Sequence, residues 1–186
     1  MTTAFWLLRH APVPGAAIGG DPDADTSDAA KFARLARILP ADPVLIESGL
    51  RRCRQTVAAL GLDLPAPIVE PALAEQSFGA WTGRRWDEIE AGAFWADPAE
   101  TAPPEGESFA DVCRRVGPAL RRLAESHAGR SVVAVIHAGS IRAALAEALD
   151  LTPAAALRLV IEPLSLTRLD RVAGSWRVVA VNQTVT

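Results

Sequence analysis

Cysteine is scarce in this chain of 186 residues. Cys53 and Cys113 lie in different segments, and the sequence contains no Cys-x-x-Cys pair and no cluster of cysteine with histidine. Neither a disulfide framework nor a zinc site of the cysteine-rich type is therefore indicated. We expect a reducing, cytoplasmic compartment in which both thiols pack as small hydrophobic side chains.

Long apolar runs and an excess of basic charge are also missing. No apolar run approaches the ~18 residues of a membrane-spanning helix, and Met1-Thr2-Thr3 lacks the basic start of a secretory signal. The formal net charge of −3 offers no electrostatic surface for nucleic acid or for an anionic membrane. We therefore expect neither a nucleic-acid partner nor a membrane partner.

The composition itself is that of an ordinary globular protein, with 49% hydrophobic and 22% charged residues. A chain of this length buries roughly 70% of its unfolded surface, which is enough for a full core without disulfides or metals. No internal repeat, low-complexity segment or linker interrupts it. We therefore predict a single domain over residues 1–186, and the oligomeric state stays open.

Short apolar runs alternate with helical patterns along the chain. Strands are predicted at residues 4–8, 44–46, 131–136, 164–169 and 176–181. Four helices are predicted. The first covers 29–39, the second runs from an N-cap at Ser48 to Gly61, and the fourth follows His137. The third begins at an N-cap at Ser108 and is kinked or broken at Gly117-Pro118. Residues 11–28 are predicted to form a loop, and residues 63–104 turns and short helices. The alternation predicts an α/β fold, a three-layer α/β/α sandwich around a mostly parallel central sheet.

Two of the three histidines follow predicted strands directly. Arg9-His10 ends the first strand, and His137 ends the strand at 131–136. Because ligands bind at the carboxyl ends of parallel strands, we expect His10 and His137 to lie at the same functional edge of the sheet. The third histidine, His127, precedes Gly129 at the end of a predicted helix, where we expect a structural role.

A cluster of arginines begins the predicted helix after the second strand. Arg51, Arg52 and Arg54 lie in its first turns. A helix N-terminus together with a guanidinium group favours an anion such as phosphate. Spacing alone does not choose among the three arginines.

Five short motifs resemble those of the histidine phosphatase superfamily, also called phosphoglycerate mutase-like, and they occur in the family's order. They are Leu8-Arg9-His10-Ala11, then Ser48-Gly49-Leu50-Arg51-Arg52-Cys53-Arg54-Gln55-Thr56, then Leu73-Ala74-Glu75 with Gly79-Ala80-Trp81-Thr82-Gly83, then Pro104-Glu105-Gly106-Glu107-Ser108, and finally Val135-Ile136-His137-Ala138-Gly139. The resemblance covers nearly the whole chain and implies the phosphoglycerate mutase-like fold.

The resemblance also implies roles for individual residues. His10 holds the position of the nucleophile that forms a phosphohistidine, and Glu75 that of the proton donor to the leaving oxygen. His137 would stabilise charge on the transferred phosphoryl group. Arg9 and Arg52 would bind the phosphate through planar donor forks. The expected reaction is phosphomonoester hydrolysis without a cofactor and without a metal ion.

Two features depart from the family pattern. Ala11 and Ala138 replace the glycine that usually follows each histidine, which puts the local geometry in question. The segment after His10 lacks the residues of true mutases, and its opening resembles the α-ribazole phosphatase branch of cobalamin synthesis. That branch usually continues Gly-Arg-x-Asp, whereas here the stretch is Gly20-Asp21-Pro22-Asp23 without the arginine.

The expected substrate follows from this branch. We predict hydrolysis rather than phosphoryl transfer, with α-ribazole phosphate preferred over phosphoglycerate. Four aromatic side chains would stack on an aromatic leaving group, although plain packing in the core explains most of them equally well: Trp81, Trp86, Phe94 and Trp95. The alternative is a phosphatase of the same family with broad specificity for small molecules.

Two rival functions belong to other classes. His10, His137 and Glu75 also fit a metal site of two histidines and one carboxylate, although two converging arginines oppose a cation there. A binding module without catalysis is the other rival, but such a module would be expected to lack one of the five polar residues, and all five are present.

Overall fold

A computed structural model describes residues 1–15 and 17–185. Ala16, in the predicted loop at 11–28, and Thr186, at the end of the predicted domain, lie outside the described residues. The centre of the molecule is a six-stranded sheet in the order β3-β2-β4-β1-β5-β6. Its strands are β1 (Thr2–Arg9), β2 (Val44–Glu47), β3 (Ile68–Val69), β4 (Ser131–Ile136), β5 (Leu166–Val172) and β6 (Ser175–Gln183).

The sheet is mostly parallel, as predicted. β1 pairs in parallel with β4, β4 with β2, and β2 with β3. β5 is antiparallel to both of its neighbours, β1 and β6. The carboxyl ends of the four parallel strands therefore lie at one edge of the sheet, where the side chains that follow β1 and β4 meet.

Helices cover both faces of the sheet and confirm the three layers. They are α1 (Ala29–Ile38), α2 (Arg51–Leu60), α3 (Gly92–Ala96), α4 (Phe109–Ser126), α5 (Ala138–Leu149) and α6 (Pro153–Ala156). Within β1, Phe5 and Leu7 join the core cluster formed with α4 and α5, whereas Leu8 joins the cluster formed with α1 and α2. This alternation buries both faces of the strand, which explains why its sequence is a continuous apolar run.

The beginning of α2 differs from the prediction. The N-cap is Leu50, which makes no side-chain capping bond, so the predicted cap at Ser48 is wrong. The carboxylate of Asp21, in the loop after His10, accepts the backbone N–H of Arg51 at 2.7 Å and supplies the missing acceptor. A capping partner thirty residues away in sequence leaves no local pattern. The predicted end at Gly61 is confirmed, with this glycine in the left-handed region at φ 59°.

Helix α4 is continuous through Pro118, so of the predicted kink or break the break is wrong. Pro118 points to solvent, while Val116, Gly117, Ala119 and Leu120 are buried. Packing of this buried face against α5 outweighs the one backbone hydrogen bond that a proline removes. The predicted cap is confirmed, because Ser108 and Asp111 form a reciprocal capping box.

The segment at 63–104 contains mostly turns and short helices, as predicted. Besides α3 it forms three 3₁₀ helices, Pro71–Leu73, Gly79–Trp81 and Trp86–Glu88. The two-residue strand β3 was not predicted. Within the part of the chain that the structure describes, no helix is both long enough and apolar enough to cross a membrane.

Candidate active site

The two strand-end histidines meet because β1 and β4 are neighbours in register. Arg9 lies opposite Ile136, and the backbone N–H of His10 donates to the Ile136 carbonyl at 2.9 Å. The residues that follow, His10 and His137, therefore lie side by side, with ring centroids 5.0 Å apart. The predicted juxtaposition is confirmed.

His10 is held with one ring nitrogen unprotonated. Its Nδ1 lies 2.7 Å from the carbonyl oxygen of Ala11, which only accepts, so Nδ1 carries the proton and Nε2 keeps its lone pair. Burial, with a further contribution from Arg52 and Arg9, lowers the pKa of His10 to about 3, against the opposing effect of the Ala11 carbonyl. The imidazole is therefore neutral at pH 7.

Arg52 lies between the two histidines. Its Nε is 3.2 Å from His10 Nε2 and 3.2 Å from His137 Nδ1, and its Nη1 donates to the Gly20 carbonyl at 2.7 Å. The structure thus selects Arg52 from the three arginines, because Arg51 and Arg54 are exposed and bond to Asp23 and to the Gly49 carbonyl.

His137 is fully buried and bonded at both ring nitrogens. Because Nδ1 accepts from Arg52, the proton lies on Nε2, which is 2.7 Å from the hydroxyl oxygen of Ser48. Burial first, and then the positive charge of Arg52, lower its pKa well below the ordinary value. Ser48 was missed as a site residue, although its place in the motif with Arg52 was a usable signal.

Glu75 reaches the start of helix α5. Its Oε1 accepts the backbone N–H of Gly139 at 3.1 Å and that of Gln76 at 3.2 Å. A Cβ on residue 139 would overlap this carboxylate oxygen and would displace it from the Gly139 N–H. Helix α5 thereby aims the carboxylate into the cavity that His10 and Arg52 line.

Arg9 lies beside the site but is turned partly away from it. Its Nη1 donates to the Ile161 carbonyl at 2.6 Å, and its Nε is buried without a hydrogen-bond partner among the described residues. Burial is the main cause that lowers its pKa. Arg9 is thus near the predicted phosphate site and retains an unsatisfied donor.

A cavity of about 260 Å³ opens at this edge of the sheet. It is lined by His10, Val13, Ala17, Gly19, Pro22, Arg52, Glu75, Gln76, Phe78, Phe109, Gly139, Arg142 and Leu157. Arg9 and His137 are not among these lining residues. Arg142, on α5, also lines the cavity, and no sequence motif marks it because it lies outside the five motifs on an otherwise apolar helix face.

The predicted stacking residues do not line this cavity. Trp81 and Phe94 are buried in a small cluster of their own, with ring centroids 5.4 Å apart, and Trp86 and Trp95 pack at 4.8 Å. The alternative of core packing is therefore confirmed for Trp81 and Phe94, whereas Trp86 and Trp95 are exposed. Phe78 is the aromatic residue of that segment that reaches the cavity.

The two alanines that replace the family glycines are accommodated without backbone strain. In the described part of the chain, the residues other than glycine with positive φ are Glu105, Asp150, Leu164, Ala173 and Asn182. Ala11 and Ala138 are therefore in conformations open to any L-residue.

Both cysteines are unpaired thiols. Cys53 is buried, and burial raises its pKa to about 12; Cys113 is half-buried, and burial raises its pKa to about 11. Packing as hydrophobic side chains is thus confirmed for Cys53 and partly for Cys113.

The geometry disfavours a metal ion between the histidines. No group of three or more His, Cys, Asp or Glu side chains in residues 1–15 and 17–185 is placed to hold one. The Arg52 guanidinium bonds to a ring nitrogen of each histidine, so a cation there would face a fixed positive charge. A neutral imidazole, a carboxylate and several guanidinium groups are instead suited to an anionic, phosphate-like substrate.

Comparisons with known proteins agree with this class of site. A family model described as the histidine phosphatase superfamily, branch 1, matches residues 5–184. A mycobacterial glucosyl-3-phosphoglycerate phosphatase in complex with VO3 has a TM-score of 0.83 and 28% identity, over 97% of this chain and 99% of that chain. A putative α-ribazole-5′-P phosphatase of Escherichia coli has a TM-score of 0.85 over 99% and 98% of the two chains, but at 20% identity it shows only the shared fold.

A bifunctional protein of Mycobacterium tuberculosis is 34% identical over 150 residues, which are 75% of this chain and 40% of that protein. The chain thus spans about two fifths of the length of the curated relatives it matches. The protein shares its fold with solved phosphatases. The chain belongs to the histidine phosphatase superfamily.

Proposed function

We propose that the protein is a metal-independent phosphomonoesterase that acts through a phosphohistidine on His10, as one domain over residues 1–186. The observation that carries the proposal is the state of His10. Its Nδ1 is hydrogen-bonded to the Ala11 carbonyl, its pKa is lowered to about 3, and its Nε2 lies at the cavity beside Arg52 and Glu75. A nucleophilic imidazole needs this combination.

In the first step the Nε2 lone pair of His10 attacks the phosphorus of a bound monoester. The bond from phosphorus to the leaving oxygen breaks, and protonated Glu75 gives its proton to that oxygen, so an alcohol is released. In the second step Glu75 takes a proton from water as the water oxygen attacks the phosphohistidine. The nitrogen–phosphorus bond then breaks, and inorganic phosphate and free His10 are produced.

The positive groups around His10 would stabilise the transferred phosphoryl group. Arg52 contacts the nucleophilic nitrogen, and Arg9 has a buried Nε without a partner among the described residues. A dianion would draw the Arg52 donors away from the Gly20 carbonyl and the two imidazoles. His137 lies behind Arg52, where it would share the charge that develops in the transition state.

The covalent step is tested by trapping the phosphoryl group. We expect His10→Asn to lose about 10³-fold or more in turnover of an aryl phosphate and to acquire no phosphoryl group in a rapid alkaline quench. Asn keeps a donor for the Ala11 carbonyl, so the fold should persist. His127→Asn, outside the site, is the matched control and should label like the wild type. Turnover by His10→Asn at more than a few per cent of the wild-type rate, or a phosphoryl group on another residue, would refute the covalent role.

The specific substrate that we propose is α-ribazole phosphate, which implies a role in cobalamin synthesis and a cytoplasmic location. The Arg-His-x-Pro-Val opening supports it, as do the apolar cavity residues Val13, Phe78 and Phe109. The alternative, a broad-specificity phosphatase, predicts weak and unselective hydrolysis. Comparing kcat/KM for α-ribazole phosphate and 3-phosphoglycerate separates them. A higher value for 3-phosphoglycerate, or the appearance of 2-phosphoglycerate, would contradict the first proposal.

A further inference from the structure

One arginine of helix α4 is bonded to the segment that carries Glu75. The Nη1 group of Arg115 donates to the carbonyl oxygens of Ala72 at 2.8 Å and Ala74 at 2.9 Å. Its Nη2 group donates to the carbonyl of Glu75 itself at 3.1 Å. The 3₁₀ helix Pro71–Leu73 and the two residues after it therefore have three of their backbone acceptors satisfied by one planar side chain.

Glu107 orients that guanidinium. Its two carboxylate oxygens accept from Arg115 Nε at 2.8 Å and from Nη2 at 3.0 Å. All five N–H donors of the arginine thus have an acceptor, an arrangement that the single ammonium group of lysine does not reproduce.

Glu107 also bonds to the chain on the other side of Glu75. Its Oε2 accepts the backbone N–H of Ser77 at 2.9 Å, and its backbone carbonyl accepts Gln76 Nε2 at 2.6 Å. The Arg115–Glu107 pair therefore holds the chain both before and after the carboxylate. No role was assigned to Glu107 in the sequence analysis, although it lies in one of the five motifs.

The pair is not needed to fill the core. The Arg115 and Glu107 side chains are 23% and 28% exposed, and an ion pair in contact with solvent contributes little to stability. Helix α5 also holds the chain before Glu75, because the buried Ser140 hydroxyl lies 2.8 Å from the carbonyls of Leu73 and Ala74. Loss of the pair should therefore change where Glu75 lies more than whether the protein folds.

We propose that Arg115, oriented by Glu107, is a positioning residue that fixes the Glu75 carboxyl group at the leaving oxygen of the substrate. This inference rests on the proposed function, in which Glu75 donates a proton to that oxygen. In the first step, a misplaced acid slows substrates with a basic alkoxide leaving group, and it slows nitrophenyl phosphate little because that leaving group departs unprotonated.

The test compares leaving groups in one set of variants. We expect Arg115→Gln to lower kcat/KM for glycerol phosphate by about 10- to 100-fold and to leave kcat/KM for nitrophenyl phosphate nearly unchanged. The ratio kcat/KM is compared because it reports the first step, in which the leaving group departs, and not the hydrolysis of the phosphohistidine that both substrates share. Arg115→Lys should not restore the loss. Arg114→Gln, an exposed neighbour on the same helix, is the matched control and should behave as the wild type on both substrates.

A double-mutant cycle with Glu75→Gln completes the test. If Arg115 acts through Glu75, the Arg115→Gln substitution should cause no further loss on glycerol phosphate once Glu75 is replaced. Equal losses on both substrates, unchanged kinetics or additive effects would each overturn the proposal. Should Arg115→Gln unfold, as judged by circular dichroism, Glu107→Gln carries the same predictions. If the wild type hydrolyses neither substrate, the proposed function fails instead.

Discussion

At the scale of single residues, the proposed nucleophile His10 has surroundings that keep its Nε2 atom unprotonated. The side chain is 5% exposed, and two arginines lie close to it. Burial and positive neighbours both disfavour the imidazolium form, and they outweigh the hydrogen bond to the Ala11 carbonyl. Arg52 contacts both imidazoles, so the charge that would assist catalysis also helps burial to keep the proposed nucleophile neutral.

This protonation state predicts how stability depends on pH. The folded-state pKa of His10 is about 3, against an ordinary value of 6.5 in the unfolded chain. The stabilising contribution is thus complete above pH 6.5 and is lost as the pH falls towards 3, because only the unfolded state takes up the proton. Between pH 7 and 5 we expect the free energy of unfolding of the wild type to fall by about 2 kcal/mol more than that of His10→Asn.

Urea unfolding of both proteins at the two pH values measures the difference. Carboxyl groups titrate in both proteins alike, so the comparison isolates His10. Equal losses in the wild type and in His10→Asn would mean that the folded protein protonates His10 readily. That result would remove the neutral nucleophile from the proposed mechanism.

At the scale of elements, local patterns predicted the parts of the fold that local forces determine. The strands β1 and β4 are continuous apolar runs because both of their faces are buried, and the capping box of α4 lies within four adjacent residues. β3 has only two residues, Ile68 and Val69, both exposed, so neither length nor periodicity marks it. The N-terminus of α2 depends on Asp21, a long-range partner that no local pattern contains.

The positions of some site residues, but not of all, could be predicted from the sequence. Strand ends and motifs brought His10, His137, Arg52 and Glu75 together correctly. The orientation of Arg9 towards Ile161 and the cavity position of Arg142 depend on how the chain at 157–161 packs, which the sequence does not indicate.

Helix α4 offers a prediction of its own at the exposed Pro118. Replacement by alanine restores a backbone N–H and removes the ring that opposes helical geometry, which stabilises the helix by about 3 kcal/mol. The unfolded chain gains conformational freedom at the same time, which offsets about 1 kcal/mol of this stabilisation. We expect Pro118→Ala to raise the free energy of unfolding by about 1–2 kcal/mol in urea and to leave kcat unchanged.

Arg114→Ala, at another exposed position of the helix, is the control for a general change in helix surface and should shift stability by less than about 0.5 kcal/mol. A loss of stability in Pro118→Ala would indicate that the proline ring makes packing contacts that matter more than the backbone bond.

At the scale of the whole molecule, the fold gathers positive charge at one edge of a chain whose formal net charge is −3. Arg52 comes from the helix after β2, Arg9 from the end of β1, and Arg142 from the helix after β4. Each element contributes one guanidinium because the parallel strands end at a common edge. An anion is therefore attracted to this edge by fixed charge and not by the charge of the molecule as a whole.

The same arrangement predicts that catalysis needs no added metal. Because the arginines already supply the positive charge that a phosphoryl group needs, turnover of nitrophenyl phosphate should be unchanged after dialysis against EDTA. Vanadate, which adopts the five-coordinate geometry of a phosphoryl group in transfer, should inhibit the wild type competitively. A parallel assay with added zinc or iron serves as the control for a metal lost during purification. Loss of activity on chelation, restored by either metal, would instead favour a metal site formed by His10, His137 and Glu75. Binding of a metal ion there would require Arg52 to leave its position between the two imidazoles.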